Sequence, residues 1–202
     1  MSLDLTIMYA AHDAFRRDLD RLGKAAADGT AFTPPVRAGW ADFTHQLHIH
    51  HTAEDSDLWP RVQHRAEGRP RDLALLAEMA AEHAQIDPQL AAVEEALRDN
   101  SAELPELVRT LTATLDAHLE HEEASALPLI QEVLTPADWG AFTGAIRRTQ
   151  GLRGAAVFVP WIVDGVPPAD RAVLLGSLPA PARVLNRLFW EPGYRRRGRW
   201  GS

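Results

Sequence analysis

Two copies of one pattern carry the groups in this chain that can do chemistry. In each, a histidine is followed four residues later by a glutamate and ten residues later by a proline. These are His50, Glu54 and Pro60 in the stretch HHTAEDSDLWP, and His118, Glu122 and Pro128 in HLEHEEASALP. Imidazole and carboxylate spaced i, i+4 stack on one helix face, so each pair can grip a cation from one side. The sequence contains no cysteine. That excludes disulfides, thiolate zinc sites, iron–sulfur clusters and a cysteine nucleophile, and leaves only nitrogen and oxygen to hold a metal.

Positioning such pairs requires long helices, and apolar residues at helical spacing predict four of them. The first covers about residues 3–27, with Leu5, Met8, Phe15, Leu19 and Leu22 on one stripe and His12 among them. The second covers about residues 36–66, where Phe43, Leu47, His50, Glu54 and Leu58 fall within a sector of about 80°. The third covers about residues 73–97, with His83 on its apolar face and Pro88 expected to bend it. The fourth, about residues 102–133, leads through Leu107, Leu111 and Leu115 to His118 and Glu122. Short loops between them predict an all-α, antiparallel up-down four-helix bundle over residues 1–134. Thr135-Pro136 reads as a capped helix start. It opens a second region, residues 135–202, rich in Pro and Trp, expected as a helical extension packed on the bundle and without catalytic features.

With 46% hydrophobic residues the chain can build a real core, and its net charge of −7 argues against nucleic-acid binding. The N-terminus lacks a signal-peptide profile and no segment is apolar enough to span a membrane, so a cytoplasmic location is expected. The basic end, Tyr194 to Trp200, is expected as a frayed, solvated terminus, with contact to an acidic surface or lipid as the alternative. No protein partner is legible.

A histidine and a glutamate from each of two helices thus point inward. Burying an unpaired carboxylate costs several kcal/mol, and two in one leucine-lined interior repel each other. A shared cation resolves both problems. Two glutamates can each bridge two metals while histidines complete the coordination. Imidazole with carboxylate suits iron, manganese or zinc, and a bridged two-metal core favours iron, although the ligand set alone does not fix the metal. Any one of these histidines alone reads as a core or surface residue; six positions in phase on four helices do not.

The doubled His-x-x-x-Glu-x-x-x-x-x-Pro pattern, with single histidines on the first and third helices, resembles the hemerythrin-like, HHE cation-binding family. The stretch EHAQIDP and the Trp- and Pro-rich extension are similar to those of actinobacterial hemerythrin-domain proteins. The resemblance covers about residues 3–134 and implies a non-heme diiron centre bridged by two carboxylates and an oxo or hydroxo group, with manganese or zinc less favoured. It assigns the ligand role to His12, His50, Glu54, His83, His118 and Glu122, with Glu54 and Glu122 as bridges, and implies a small ligand such as O2, NO or peroxide. The chain departs from the oxygen-carrying hemerythrins in two places. Where they have a second histidine one turn after the first on the third helix, this chain has Asp87, and Glu122 stands four residues after His118 where they have an aspartate at five. Asp87 reads as a carboxylate ligand, an acceptor for an imidazole N–H, or a cap before Pro88; His51, at the edge of the inward sector, is the other candidate for an added ligand. His45, His48 and His64 project outward and His121 is marginal. Arg16 either pairs with a ligand carboxylate or, the favoured reading, snorkels to the bundle end. Competing functions are a diiron oxidoreductase that consumes peroxide or NO, an oxygenase with its pocket under the extension, and an iron store or metal-stabilised scaffold.

Overall fold

In the computed structural model, which describes residues 2–201, the apolar stripes become an all-α bundle. It consists of α1 (Thr6–Ala27), α2 (Pro34–Ala53) running on into α3 (Trp59–Arg65), α4 (Pro70–Asp99), and α5 (Leu104–His121) running on into α6 (Leu127–Val133). Proline sits in the first turn of α2, α4 and α5, where its missing N–H has no helical partner to lose. Helix α4 stops at Asn100, which takes the left-handed conformation (φ 54°, ψ 43°) that ends many helices.

The joints inside the two long helices have a sequence cause. Each is a single π-helical turn, Glu54–Leu58 and Glu122–Ala126, closed by the amide of Trp59 on the carbonyl of Glu54 and that of Leu127 on Glu122. Pro60 and Pro128 follow these glutamates by six residues. A proline there cannot donate to the carbonyl four residues back and its ring crowds that carbonyl, and one wider turn relieves the conflict. A third π turn, Asn186–Trp190, precedes Pro192 with the same spacing. The proline of the doubled motif is therefore a backbone device that shapes the helix at the glutamate.

Pro88 does not end its helix. Helix α4 runs past it without a break to Asp99. Along α4, buried Leu76, Met79, His83 and Ile86, half-buried Leu90, and buried Val93 and Leu97 alternate steps of three and four. That is a seam of period 3.5, and Asp87 lies one position off it.

The core is divided. One apolar cluster holds Phe15, Leu19, Leu22, Phe43, Leu47, Ile86, Val93, Leu111 and Leu115, and a second holds Met8, Leu58, Val62, Met79, Ala126, Leu127 and Ile130. Between them on every helix come the inward polar residues. The chain beyond Thr135 forms α7 (Pro136–Ile162), α8 (Pro168–Ser177), α9 (Ala180–Leu185) and α10 (Glu191–Arg196). The expected helix start at Thr135-Pro136 is capped, with Thr135 and Asp138 closing a capping box, and α7 kinks at Gly151 (φ 57°), in a backbone region reserved for glycine. Trp161, Ile162, Leu174 and Tyr194 enter the first cluster and Phe142 the second.

Polar contacts lock the extension to α1. Fully buried Asp18 accepts from the Trp161 indole N–H at 2.7 Å, Arg17 donates to the carbonyls of Trp161 and Asp164, and Arg21 pairs with Asp164. The basic tail is not frayed as expected: Arg199 is buried and paired with Asp42, and Trp200 packs on Gly39 of α2. A β-carbon at Gly39 would lie 2.3 Å from the Trp200 indole. Gly39→Ala is therefore expected to displace Trp200, although alanine favours the helix itself by about 1 kcal/mol. The readout is faster tryptic cleavage at Arg195 to Arg197; an unchanged digestion rate would refute the docking.

Candidate metal centre

The polar layer gathers its side chains from all four bundle helices. His12 comes from α1, His50 and His51 from the last turn of α2, His83 from the middle of α4, His118 from the last turn of α5, and Glu54 and Glu122 begin the two π turns. His12, Glu54 and Glu122 are completely buried.

Two groups of ligand atoms result. In one, single nitrogens of His51, His83 and His118 lie within 4.8 Å of one another; in the other, His12, His50 and an oxygen of Glu122 do so. Glu54 stands between them, with Oε1 3.2 Å from Nε2 of His50 and Oε2 3.7 Å from Nε2 of His83. Nε2 of His12 is 3.3 Å from Oε2 of Glu122.

The inner atoms have no hydrogen-bond partners. Both oxygens of Glu54, both of Glu122, and Nε2 of His12, His50 and His51 are buried and unsatisfied, a concentration that buried polar groups do not otherwise show. The outer atoms are satisfied. Nδ1 of His12 donates to Glu123 at 2.8 Å, that of His83 to Asp55 at 2.9 Å, and that of His118 to Glu82 at 2.8 Å. With the proton on Nδ1, a neutral ring turns a lone pair inward from Nε2. The Nε2 atoms of His83 and His118 then face each other at 3.2 Å, an arrangement that a cation between lone pairs stabilises and that a hydrogen bond cannot.

Protonation energetics point the same way. Burial, and next the charge of His12, hold His50 well below the usual histidine range, and burial with His83 does the same to His51. Burial also lowers His118. Burial, then the neighbouring Glu122 and Asp55 charges, push Glu54 well above the carboxylate range. Burial acts on Glu122 in the same direction, but His12 beside it wins and holds it low. Burial opposes charge on His12 too, yet Glu122 and Glu123 on either side raise it to about 9. A proton on His12 thus substitutes for positive charge in the layer, and metal uptake must displace it.

A model of the hemerythrin HHE cation-binding domain matches residues 3–130. The chain belongs to the hemerythrin HHE cation-binding family. No curated protein and no solved structure matches it. As an HHE domain it binds a metal ion, and the fit to this chain rests on the unsatisfied inward atoms.

All six residues expected at the centre are brought together, and the structure separates the two candidate additions. His51 is buried, its ring stacked on His83 at 4.0 Å between centroids. Asp87 is exposed and belongs to neither group, because the seam of α4 passes through His83 and Ile86 and leaves it to one side. His45, His48 and His64 are exposed as expected. His121 is half-buried and donates to Glu82, which it shares with His118. Arg16 does not snorkel away: it pairs with Glu123 at 2.8 Å and so steadies the carboxylate that holds His12.

Asp55, Glu82 and Glu123 were missed in the sequence. Two of them had a signal there. The residue directly after each motif glutamate is itself acidic, Glu54-Asp55 and Glu122-Glu123, and each such acid takes the Nδ1 proton of the helix that supplies a single histidine. Carboxylate partners of this kind fix ring orientation and raise ligand basicity.

Proposed function

We propose that this domain holds two iron ions side by side, one on His51, His83 and His118, the other on His12, His50 and Glu122, and that the pair binds a small ligand such as O2, NO or peroxide. The observation that carries this reading is Glu54, whose two oxygens are directed to different histidine groups. Nitrogen and oxygen donors without thiolate suit iron, and a carboxylate shared between two groups suits a two-metal core. Bound iron would supply a redox-active Lewis acid for the small ligand. The chain's own residues do the rest. Asp55, Glu82 and Glu123 keep Nδ1 protonated and the inner nitrogens free, and the two apolar clusters exclude bulk water.

His51 bears on the choice between binding and turnover. The fifth imidazole that the third helix lacks is available from α2, and the extra carboxylate that Asp87 would bring is absent from the layer. A centre richer in imidazole favours ligand binding over strongly oxidised chemistry. Size also matters. The most open of the ligand residues, His50, has only 11% of its side chain exposed, and the 470 Å³ groove between α2 and α7 is lined by His45, His48, Ile49, Thr52 and Ser56, on the face of α2 turned away from Glu54. This groove therefore gives a large organic substrate no direct route to the centre, which disfavours an oxygenase whose pocket lies there.

Purified protein is expected to contain about two irons per chain and to show a visible ligand-to-metal band that azide shifts reversibly. Occupancy should fall as the pH drops below the His12 value of about 9, because protons compete with metal for that nitrogen. One iron per chain would overturn the two-metal reading. Rapid catalytic loss of peroxide or NO would transfer the assignment to an oxidoreductase.

A further inference from the structure

The extension reverses the electrostatics of the chain. Residues 1–135 carry 24 acidic and 11 basic residues, whereas residues 136–202 carry ten arginines against four acids. Most of the excess lies in residues 180–202, which hold six of those arginines and one acid, Glu191. Residues 180–190, APARVLNRLFW, contain no acid and form α9 and the π turn before α10. The inner side of this segment is fixed to the protein, with Asn186 buried and Leu185 and Trp190 half-buried. The outer side presents Val184, Leu188 and Phe189, 55%, 58% and 62% exposed. Val184 and Leu188 are one turn apart and share a face, as do Arg183 and Arg187 beside them. Arg183, Arg187, Arg196 and Arg197 make no ion pair among the described residues, while Glu191, the nearest acid in sequence, is occupied by Arg171 and Arg195.

We propose that this face, from α9 into α10, docks on the surface of an anionic lipid bilayer. Aliphatic and aromatic side chains standing out among unpaired arginines are what an interfacial helix inserts at the headgroup boundary while its cations meet lipid phosphates. Here the helix is already folded and held on a rigid support, so little ordering entropy is lost on docking. Two other occupants fit less well. A symmetric dimer through this face would bring the same arginines against one another. Nucleic acid would satisfy the arginines but leave Val184, Leu188 and Phe189 without a partner and meet repulsion from the acidic bundle. The contact is peripheral, since no helix among the described residues is long and apolar enough to cross a membrane.

The test uses the full chain, loaded with metal, in sedimentation with vesicles of phosphatidylcholine alone or with about one third phosphatidylglycerol. Binding to the anionic vesicles is expected, weakening steeply as salt is raised, with little binding to the neutral ones. Leu188→Glu combined with Phe189→Glu should weaken it at least about tenfold. Arg183→Glu combined with Arg187→Glu should do so by more than about tenfold. Both variants should keep metal content and visible spectrum, which reports an intact fold; should the first lose metal, Val184→Ser with Leu188→Ser replaces it. The proposal fails if anionic vesicles do not bind the chain at low salt, or if the variants bind as well as the parent. It also fails if duplex DNA binds as tightly as the vesicles, or if the parent forms a concentration-dependent oligomer that the apolar variant disperses while vesicle binding stays the same.

Discussion

Glu54→Gln is expected to empty the centre of metal and, in the same protein, to raise the melting temperature of the metal-free form. The two effects have opposite signs because one carboxylate plays opposite parts in the two states. With metal present, Glu54 is the group directed to both histidine clusters, and a neutral amide there removes a charge from each site. Loss of an outer-shell partner alone costs about 10–100-fold in metal affinity, and loss of a shared ligand costs more, so occupancy below detection is the expectation. Without metal, the Glu54 carboxylate is buried against Glu122 and Asp55, and its pKa is raised well above the ordinary value. A raised carboxyl pKa means that the folded state favours the protonated form. Its cost to stability is absent at acidic pH and grows as pH rises above the unfolded value. Removing such an uncompensated charge returns about 1–3 kcal/mol, which is about 2–10 °C for a chain of this size. Scanning calorimetry of chelated protein at pH 7 and pH 5 checks the sign: the gain of Glu54→Gln over the parent should be larger at pH 7. Retention of both metals would remove Glu54 from the bridging role. A lower melting temperature of the metal-free variant would show that the carboxylate is stabilised by some other contact.

His51→Ala is expected to leave about one metal per chain, and Asp87→Ala to leave both. The contrast follows from burial. His51 stacks on His83 at 4.0 Å and joins the group that includes His118, so its removal takes one of three nitrogens from a single cluster and leaves the other cluster whole. Asp87 is exposed and belongs to neither group of ligand atoms. Iron analysis with the azide difference spectrum distinguishes them, and His51→Ala with two irons and an unaltered spectrum would place the fifth imidazole elsewhere. Truncation of His51 also opens a space beside His83, so His51→Gln, which nearly fills it, separates lost ligation from lost packing: both variants should lose the metal if the nitrogen is what matters.

Much of this centre is legible before folding because helical periodicity is a local property. The spacing of His50 to Glu54 and of His118 to Glu122 puts each pair on one face whatever the helix packs against, and the absence of cysteine limits the donors to nitrogen and oxygen. The prolines at 60 and 128 stand six residues after the glutamates at which the helices widen, whereas Pro88 leaves α4 without a π turn. At the edge of a sector, spacing along one helix leaves the direction of a side chain open. His51 and Asp87 were both close to the inward face, and a change of helix rotation of a few tens of degrees decides which one enters. That rotation is set by neighbours: in α4 the step from His83 to Ile86 keeps the seam in contact with its partner helices, and Asp87 turns to solvent.

The sequence by itself determined the helices, the two inward His–Glu pairs and the need for a cation among buried carboxylates, since all three follow from residue type and a repeat of 3.6. Only the tertiary structure decided the rest. It joined Asp55 to His83, Glu82 to His118 and Glu123 to His12 across 28, 36 and 111 residues of chain, brought His51 into the layer, and laid the arginine-rich extension against α1 and α2. Those choices depend on how far each helix is rotated and shifted against the others, which packing of the two apolar clusters fixes and no spacing along one helix records.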